Sequence, residues 1–135
     1  MASKICPLLL FVAFLSSSCS QSNHDKLIGE WKGTDNAGVT ASYVFEADGS
    51  AKMIYGNAVA GSKTDMKWKI KDDSPPFQLD LVTTDTKGVI HTWPCIFRFL
   101  TEDKIQIRFS QDLTSRPTEF SDEDQITEVV FTRQK

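Results

Sequence analysis

Apolar and polar residues alternate along most of this chain, with the two-residue period of a β-strand that has one buried face. In residues 66–70, for example, Met66, Trp68 and Ile70 are separated by lysines. Similar strand patterns cover residues 29–34 and six further runs, marked by Tyr43 and Phe45, Met53 and Tyr55, Phe77 to Leu81, Trp93 to Phe99, Ile105 to Phe109, and Val129 and Phe131. No stretch after residue 26 has helical periodicity. The pattern predicts an all-β domain of about eight strands.

The strands are expected to form one antiparallel sheet, because each has one polar and one apolar face. Eight such strands can close into an up-and-down barrel whose interior is filled by side chains or holds one small ligand. Short links at 47–50, 72–76 and 101–104 alternate with links at 35–38, 56–63, 83–89 and 111–124, which include the longer ones. Alternate links lie at opposite ends of such a barrel. We therefore expect a cup with one closed end and one open end rimmed by loops.

The first nineteen residues follow a different pattern. Lys4 precedes an apolar stretch that is too short to span a bilayer, and three serines then lead to Cys19. This order resembles a bacterial lipoprotein signal, in which the cysteine is diacylated and becomes the new N-terminus. Ser16 stands where that signal usually has leucine, so the alternative is an ordinary signal peptide that is cut near Ser18 or Ser20 and leaves a soluble exported protein. A diacylated cysteine carries two chains, which is sufficient for stable anchoring.

The lipoprotein interpretation divides the chain into three parts. Residues 1–18 are the signal peptide, residues 19–26 are the lipidated Cys19 with a polar tether, and residues 27–135 are the barrel domain. The predicted location is the bacterial cell envelope, at the outer membrane or the periplasmic face. Cys19 is the predicted membrane contact.

Composition narrows the class of partner. Loss of Lys4 with the signal changes the net charge from −3 to −4, and a mildly acidic domain argues against nucleic acid as a partner. Cys6 leaves with the signal and Cys19 is the lipid site, so Cys95 remains without a disulfide partner. We expect Cys95 to be a small buried hydrophobic residue.

Two motifs resemble a known family. Gly29-Glu30-Trp31 is similar to the Gly-x-Trp signature of lipocalin-like barrels, in which the Trp packs across the closed end and a late Arg lies over it. Arg133 matches that Arg and shares its inward parity with Val129 and Phe131. The resemblance therefore implies that the Arg133 guanidinium stacks on the Trp31 indole.

The second motif is Arg-Pro-Thr-Glu-Phe at residues 116–120. It resembles a segment that a bacterial lipocalin-like family carries before its final strand. Together the motifs extend the resemblance over residues 27–135. They imply a lipocalin-like barrel, and because no activity is established for that family, they imply no function.

The aromatic positions have two open interpretations. They line a pocket for an apolar ligand, or they form a packed core. The residues concerned are Tyr43, Tyr55, Trp68, Trp93 and Phe97.

Arg116, Glu119 and Phe120 lie in the long seventh link, which we place at the open rim. Two roles are open for these residues. They either bind a ligand headgroup or a partner, or they hold the link across the barrel mouth. In both cases we expect Phe120 to turn inward over the mouth, since its burial is worth about 1.5–3 kcal/mol. Arg116 is expected to pair with Glu119 or another rim carboxylate, or to cap loop carbonyls.

No motif in the chain indicates a chemistry. His24 and His91 are isolated and lack the spacing of metal ligands, and no nucleophile elbow or phosphate-binding loop occurs. The acids at 122–124 are typical of a solvated loop more than of a calcium site. We therefore predict a non-enzymatic protein without metal or cofactor.

Two functions remain after this exclusion. The first is a lipid-anchored barrel that binds a small apolar or amphipathic ligand at its open end. The alternative is a filled barrel that acts as a structural module, a protein-interaction module or an inhibitor. An internal cavity of about 300 Å³ or more would favour the first.

Overall fold

Eight antiparallel strands and one short helix make up the computed structural model, which describes residues 21–35, 37–56, 63–121 and 128–135. The helix, α1, is Asn23–Leu27. The strands are β1 Gly29–Thr34, β2 Thr40–Phe45, β3 Ser50–Tyr55, β4 Lys63–Lys71, β5 Phe77–Thr84, β6 Ile90–Thr101, β7 Lys104–Phe109 and β8 Glu128–Arg133. The all-β prediction is confirmed.

Each strand pairs with the next one in sequence, and β8 pairs with β1, so the sheet closes into an up-and-down barrel. Closure places Trp31 opposite Arg133 and Gly33 opposite Phe131. A Cβ on Gly33 would lie 2.7 Å from the carbonyl oxygen of Val130 and 2.8 Å from the Phe131 ring. Glycine at this position therefore allows β1 and β8 to approach at the seam. The predicted barrel is confirmed.

Inward-facing side chains form a single core. On β4, Met66 and Trp68 are buried while Lys67 and Lys69 are exposed. The buried core consists of Leu27, Trp31, Tyr43, Phe45, Ala51, Met66, Trp68, Leu79, Leu81, Cys95, Phe97, Ile105, Ile107 and Phe131. Cys95 is a free, buried thiol, as expected. Burial of each large apolar side chain is worth about 1.5–3 kcal/mol, so this core is the main source of stability.

Alternate links lie at opposite ends of the barrel, as predicted, and the two longest links, 56–62 and 110–127, belong to the same end. Residues 46–49, 72–76 and 102–103 form the turns of one end, which we call the closed end. Links 35–39, 56–62, 85–89 and 110–127 leave the strands at the other end, which we call the open end.

Helix α1 covers the closed end, and its residues 23–26 belong to the predicted polar tether. The Ser22 hydroxyl caps the helix by accepting a hydrogen bond from the Asp25 N–H. Leu27 is completely buried, and its carbonyl accepts a hydrogen bond of 2.8 Å from the Trp31 indole. A helix of five residues shows no periodic pattern and depends on such tertiary contacts for its stability. The alternation pattern could not predict it for that reason.

Candidate functional site

The open end leads into a cavity of about 450 Å³. Ligand pockets in proteins generally measure about 300–1,000 Å³, so this volume is sufficient for a small molecule. The described lining residues are Gly33, Asp35, Val39, Ala41, Tyr43, Met53, Tyr55, Trp93, Phe109, Val129 and Phe131. Three of the predicted pocket residues, Tyr43, Tyr55 and Trp93, are therefore on the cavity wall.

The cavity wall is mainly apolar. Among the described lining residues, Asp35 carries the one ionised side chain. Its carboxylate accepts hydrogen bonds from the backbone N–H groups of Ala37 at 3.0 Å and Val39 at 2.8 Å. Asp35 therefore holds the β1–β2 turn together at the cavity mouth.

Tyr43 and Phe131 have the most deeply buried side chains of the lining set and form the cavity floor. The Tyr43 ring stacks on Phe45 with 5.8 Å between centroids and meets the edge of Phe131 at 5.4 Å. Burial raises the pKa of the Tyr43 phenol far above its ordinary value, with smaller contributions from Cys95 and Tyr55. The phenol is therefore neutral, and able to donate a hydrogen bond, throughout the physiological pH range.

Cys95 lies close to this floor on β6. Burial raises the pKa of its thiol to about 12, and its Sγ lies 3.5 Å from the Trp93 carbonyl oxygen. Because the thiolate is the nucleophilic form of cysteine, this residue is inert at neutral pH.

Trp68 does not line the cavity, and its assignment to a ligand pocket is corrected. It is buried at the closed end, where its indole N–H donates to the Glu46 carbonyl at 3.0 Å. The His24 ring from α1 stacks on it at 4.5 Å. Alternation predicts that Trp68 points inward, but it does not show at which end of the barrel the side chain lies. Phe97 is likewise a fully buried core residue outside the described cavity lining.

The predicted stack of Arg133 on Trp31 is confirmed. The guanidinium carbon lies 4.3 Å from the indole centroid, and Nη1 donates to the Ile28 carbonyl at 2.9 Å. Gly29 has a φ of 128°, which a residue with a side chain rarely adopts, and a Cβ there would lie 3.1 Å from Arg133 Nη1. The Gly-x-Trp motif therefore has a structural explanation at the closed end.

Arg116 lies on the outer wall of the barrel, which corrects its placement at the rim. Its guanidinium pairs with Asp80 at 2.5 Å and donates to the Cys95 carbonyl at 2.7 Å. The expected pairing with Glu119 is not formed. Asp80 occupies an outward position in the middle of β5, and it attracts the arginine to the wall instead of the mouth.

Phe120 also lies outside the barrel, so the prediction that it turns inward over the mouth is wrong. Its ring packs under the Arg98 guanidinium, with 4.3 Å from the guanidinium carbon to the centroid. The Glu119 carbonyl accepts a hydrogen bond from Arg108 at 2.9 Å, while the residue itself is exposed. We call residues 116–121 the outer strap, because they run along the outer wall from β5 to β7. The Phe120 ring is thus covered by the Arg98 guanidinium and not by the core of the barrel.

A polar network under the strap was not found by sequence reasoning. Gln106 accepts a hydrogen bond from Arg98 at 2.7 Å and donates to Glu128 at 3.1 Å. The Glu128 side chain is only 5 % exposed, pairs with Arg108 and accepts the Ser121 N–H. On an alternating strand such residues are interpreted as solvent-facing, and no local signal shows that a distant link covers them.

Several predicted features lie outside the described residues. These are the signal peptide, Cys19 and the acids at 122–124. Within the described ranges, no three His, Cys, Asp or Glu side chains are grouped so that they could hold a metal ion. No helix in the same ranges is long and apolar enough to cross a membrane.

No protein-family model matches the chain, and no curated protein is significantly similar to it.

Proposed function

We propose that this protein is an exported, lipid-anchored, non-enzymatic barrel that binds one small apolar or amphipathic molecule in its open end. The cavity of about 450 Å³ between Tyr43, Trp93 and Phe109 is the observation that carries the proposal.

The energetics of an apolar wall support binding. A ligand that buries about 250 Å² of apolar surface gains about 6 kcal/mol from leaving water. Loss of the ligand's translational and rotational freedom offsets part of this gain. A gain of about 6 kcal/mol would correspond to a dissociation constant of about 40 μM before this loss, so we expect affinity between about 40 μM and a few millimolar without any charged contact.

The anchor would determine how the cavity faces its surroundings. Helix α1 begins at Asn23, four residues after Cys19, and lies at the closed end. Four extended residues reach about 14 Å at most. A lipid on Cys19 would therefore hold the closed end toward the membrane and direct the cavity mouth away from it. Cys19→Ser should release the protein into the soluble exported fraction, and retention on washed membranes would contradict the anchor.

A cavity-filling substitution tests ligand binding. Ala41 lines the cavity, whereas its neighbour Ser42 faces outward, so Ala41→Phe and Ser42→Phe introduce the same ring on opposite faces. We expect the native protein and Ser42→Phe to bind N-phenyl-1-naphthylamine, an uncharged probe that fluoresces in apolar sites. Ala41→Phe should lose most of this signal. Equal signals from the two variants, or none from the native protein, would contradict the proposal.

An interaction module is the second candidate, favoured by apolar side chains at the open end. Val89 is 50 % exposed and the adjacent Ile90 is 67 % exposed. In this function, the two adjacent side chains would form the apolar contact with the partner. Absence of probe binding by the native protein, together with a cross-linked partner that is lost in Ile90→Ser, would favour this function over ligand binding.

A further inference from the structure

The Tyr43 hydroxyl differs from the other buried aromatic donors of the barrel. Trp31 and Trp68 each donate their indole N–H to a backbone carbonyl, at 2.8 and 3.0 Å. Tyr43 is only 3 % exposed and lines the cavity, yet its hydroxyl has no hydrogen-bond partner among the residues that the structure describes.

A buried hydroxyl without a partner is uncommon in folded proteins, because its desolvation is not compensated. Tyr43 lines the cavity, and its aromatic contacts with Phe45 and Phe131 hold the ring in this position. The phenol stays protonated because burial raises its pKa. It therefore offers one hydrogen bond to an acceptor that enters the cavity.

The charges around the cavity indicate which acceptor fits. Asp35 is the one ionised group of the described lining, and it is negative. Among the described residues of the open-end links outside the strap, Asp35, Asp85 and Asp112 are acidic and Lys87 is the one basic residue. Arg116 is already paired with Asp80 on the outer wall. An anionic head, such as a fatty-acid carboxylate, would meet repulsion without a compensating cation.

We propose that the ligand is an uncharged apolar molecule with one hydrogen-bond acceptor, and that the Tyr43 hydroxyl donates to this acceptor. The inference rests on the proposed function, that the cavity binds a small molecule, and it specifies the chemical class of that molecule.

Matched probes test the assignment. 2-Acetylnaphthalene carries a ketone acceptor, 2-isopropylnaphthalene has a similar shape without an acceptor, and 2-naphthoate is an anion. Dissociation constants are measured by calorimetry for the native protein, Tyr43→Phe and Tyr55→Phe, after thermal melts have shown that each variant is folded. Tyr55→Phe is the matched control, since it deletes the same hydroxyl from a half-exposed ring of the same cavity.

We expect Tyr43→Phe to weaken the ketone about three- to tenfold, the equivalent of one net hydrogen bond, and to leave the hydrocarbon within about twofold. Tyr55→Phe should weaken the ketone less, and the native protein should bind naphthoate more weakly than the ketone. If the native protein binds the ketone and the hydrocarbon but Tyr43→Phe changes neither, the inference is overturned and the proposed function stands. An equal or larger effect of Tyr55→Phe, or tighter binding of naphthoate, also overturns it. If the native protein binds none of the three probes, both proposals fail.

Discussion

The closed and open ends of this barrel are built from the same alternating strands, yet the interior is packed at one end and contains a cavity at the other. At the closed end, helix α1 and Arg133 cover Trp31, and the indole N–H of Trp31 is bonded to Leu27. At the open end, the strands surround a cavity of about 450 Å³ above Tyr43. One end therefore has its aromatic donors satisfied by the protein, and the other presents a donor without a described protein partner.

This difference assigns stability mainly to the closed end of the core and ligand binding to the open end. Residues of the closed end contact each other from both termini of the domain, since Arg133 in β8 donates to the Ile28 carbonyl before β1. At the open end, Tyr43 packs across the barrel on Phe109 and Phe131, and a cavity takes the place of a covering helix. Large substitutions are thus expected to unfold the protein at one end and to alter ligand binding at the other.

Replacement of the two tryptophans gives the largest expected contrast. Trp31→Ala should lower the free energy of unfolding by about 3–5 kcal/mol, because it empties a fully buried site and leaves Arg133 without its ring. Trp93→Ala at the cavity should cost only about 1 kcal/mol, since the ring is incompletely covered. Chemical denaturation measures both values. Equal losses would show that the open end is packed as tightly as the closed one.

The outer strap is expected to give the next largest effect. Arg116→Ala removes a charge-assisted hydrogen bond to Asp80 and one to the Cys95 carbonyl, and it should cost about 2 kcal/mol. Arg116→Lys keeps the charge but loses the forked geometry, so we expect an intermediate loss. Probe binding should be unchanged in both variants, because the strap lies outside the barrel. Loss of binding without loss of stability would instead make Arg116 a ligand contact.

Alkaline pH should produce the smallest effect. The pKa of Cys95 is raised by burial from 9.0 to about 12, so above pH 9 the unfolded chain loses the proton while the folded chain keeps it. The contribution to stability is full below pH 9 and decreases as the pH rises, by up to about 1.4 kcal/mol per pH unit for one group. Urea unfolding at pH 8 and pH 10, with a reducing agent present, measures the decrease. Cys95→Ala should show a smaller decrease, and an identical one would assign the effect to other groups.

Alternation along the chain was sufficient to derive the eight strands, their inward faces and the closure of the sheet. It also placed Arg133 on the inner face with Phe131, which is why the stack on Trp31 could be expected from parity and from the Gly-x-Trp resemblance. These features depend on which face of a strand each residue occupies, and the two-residue period of apolar residues shows this face directly.

That pattern does not show how far along the barrel axis each aromatic side chain lies. It also does not show whether the seventh link crosses the mouth or runs along the outer wall. Trp68 and Tyr43 both point inward, but strand register places the first beneath α1 and the second beside the cavity. The seventh link was expected over the mouth, yet Asp80 and Arg98, from two other strands, hold it on the outer wall. Such contacts join residues 22 to 36 positions apart, and they form only after the sheet has closed and brought the strands into register.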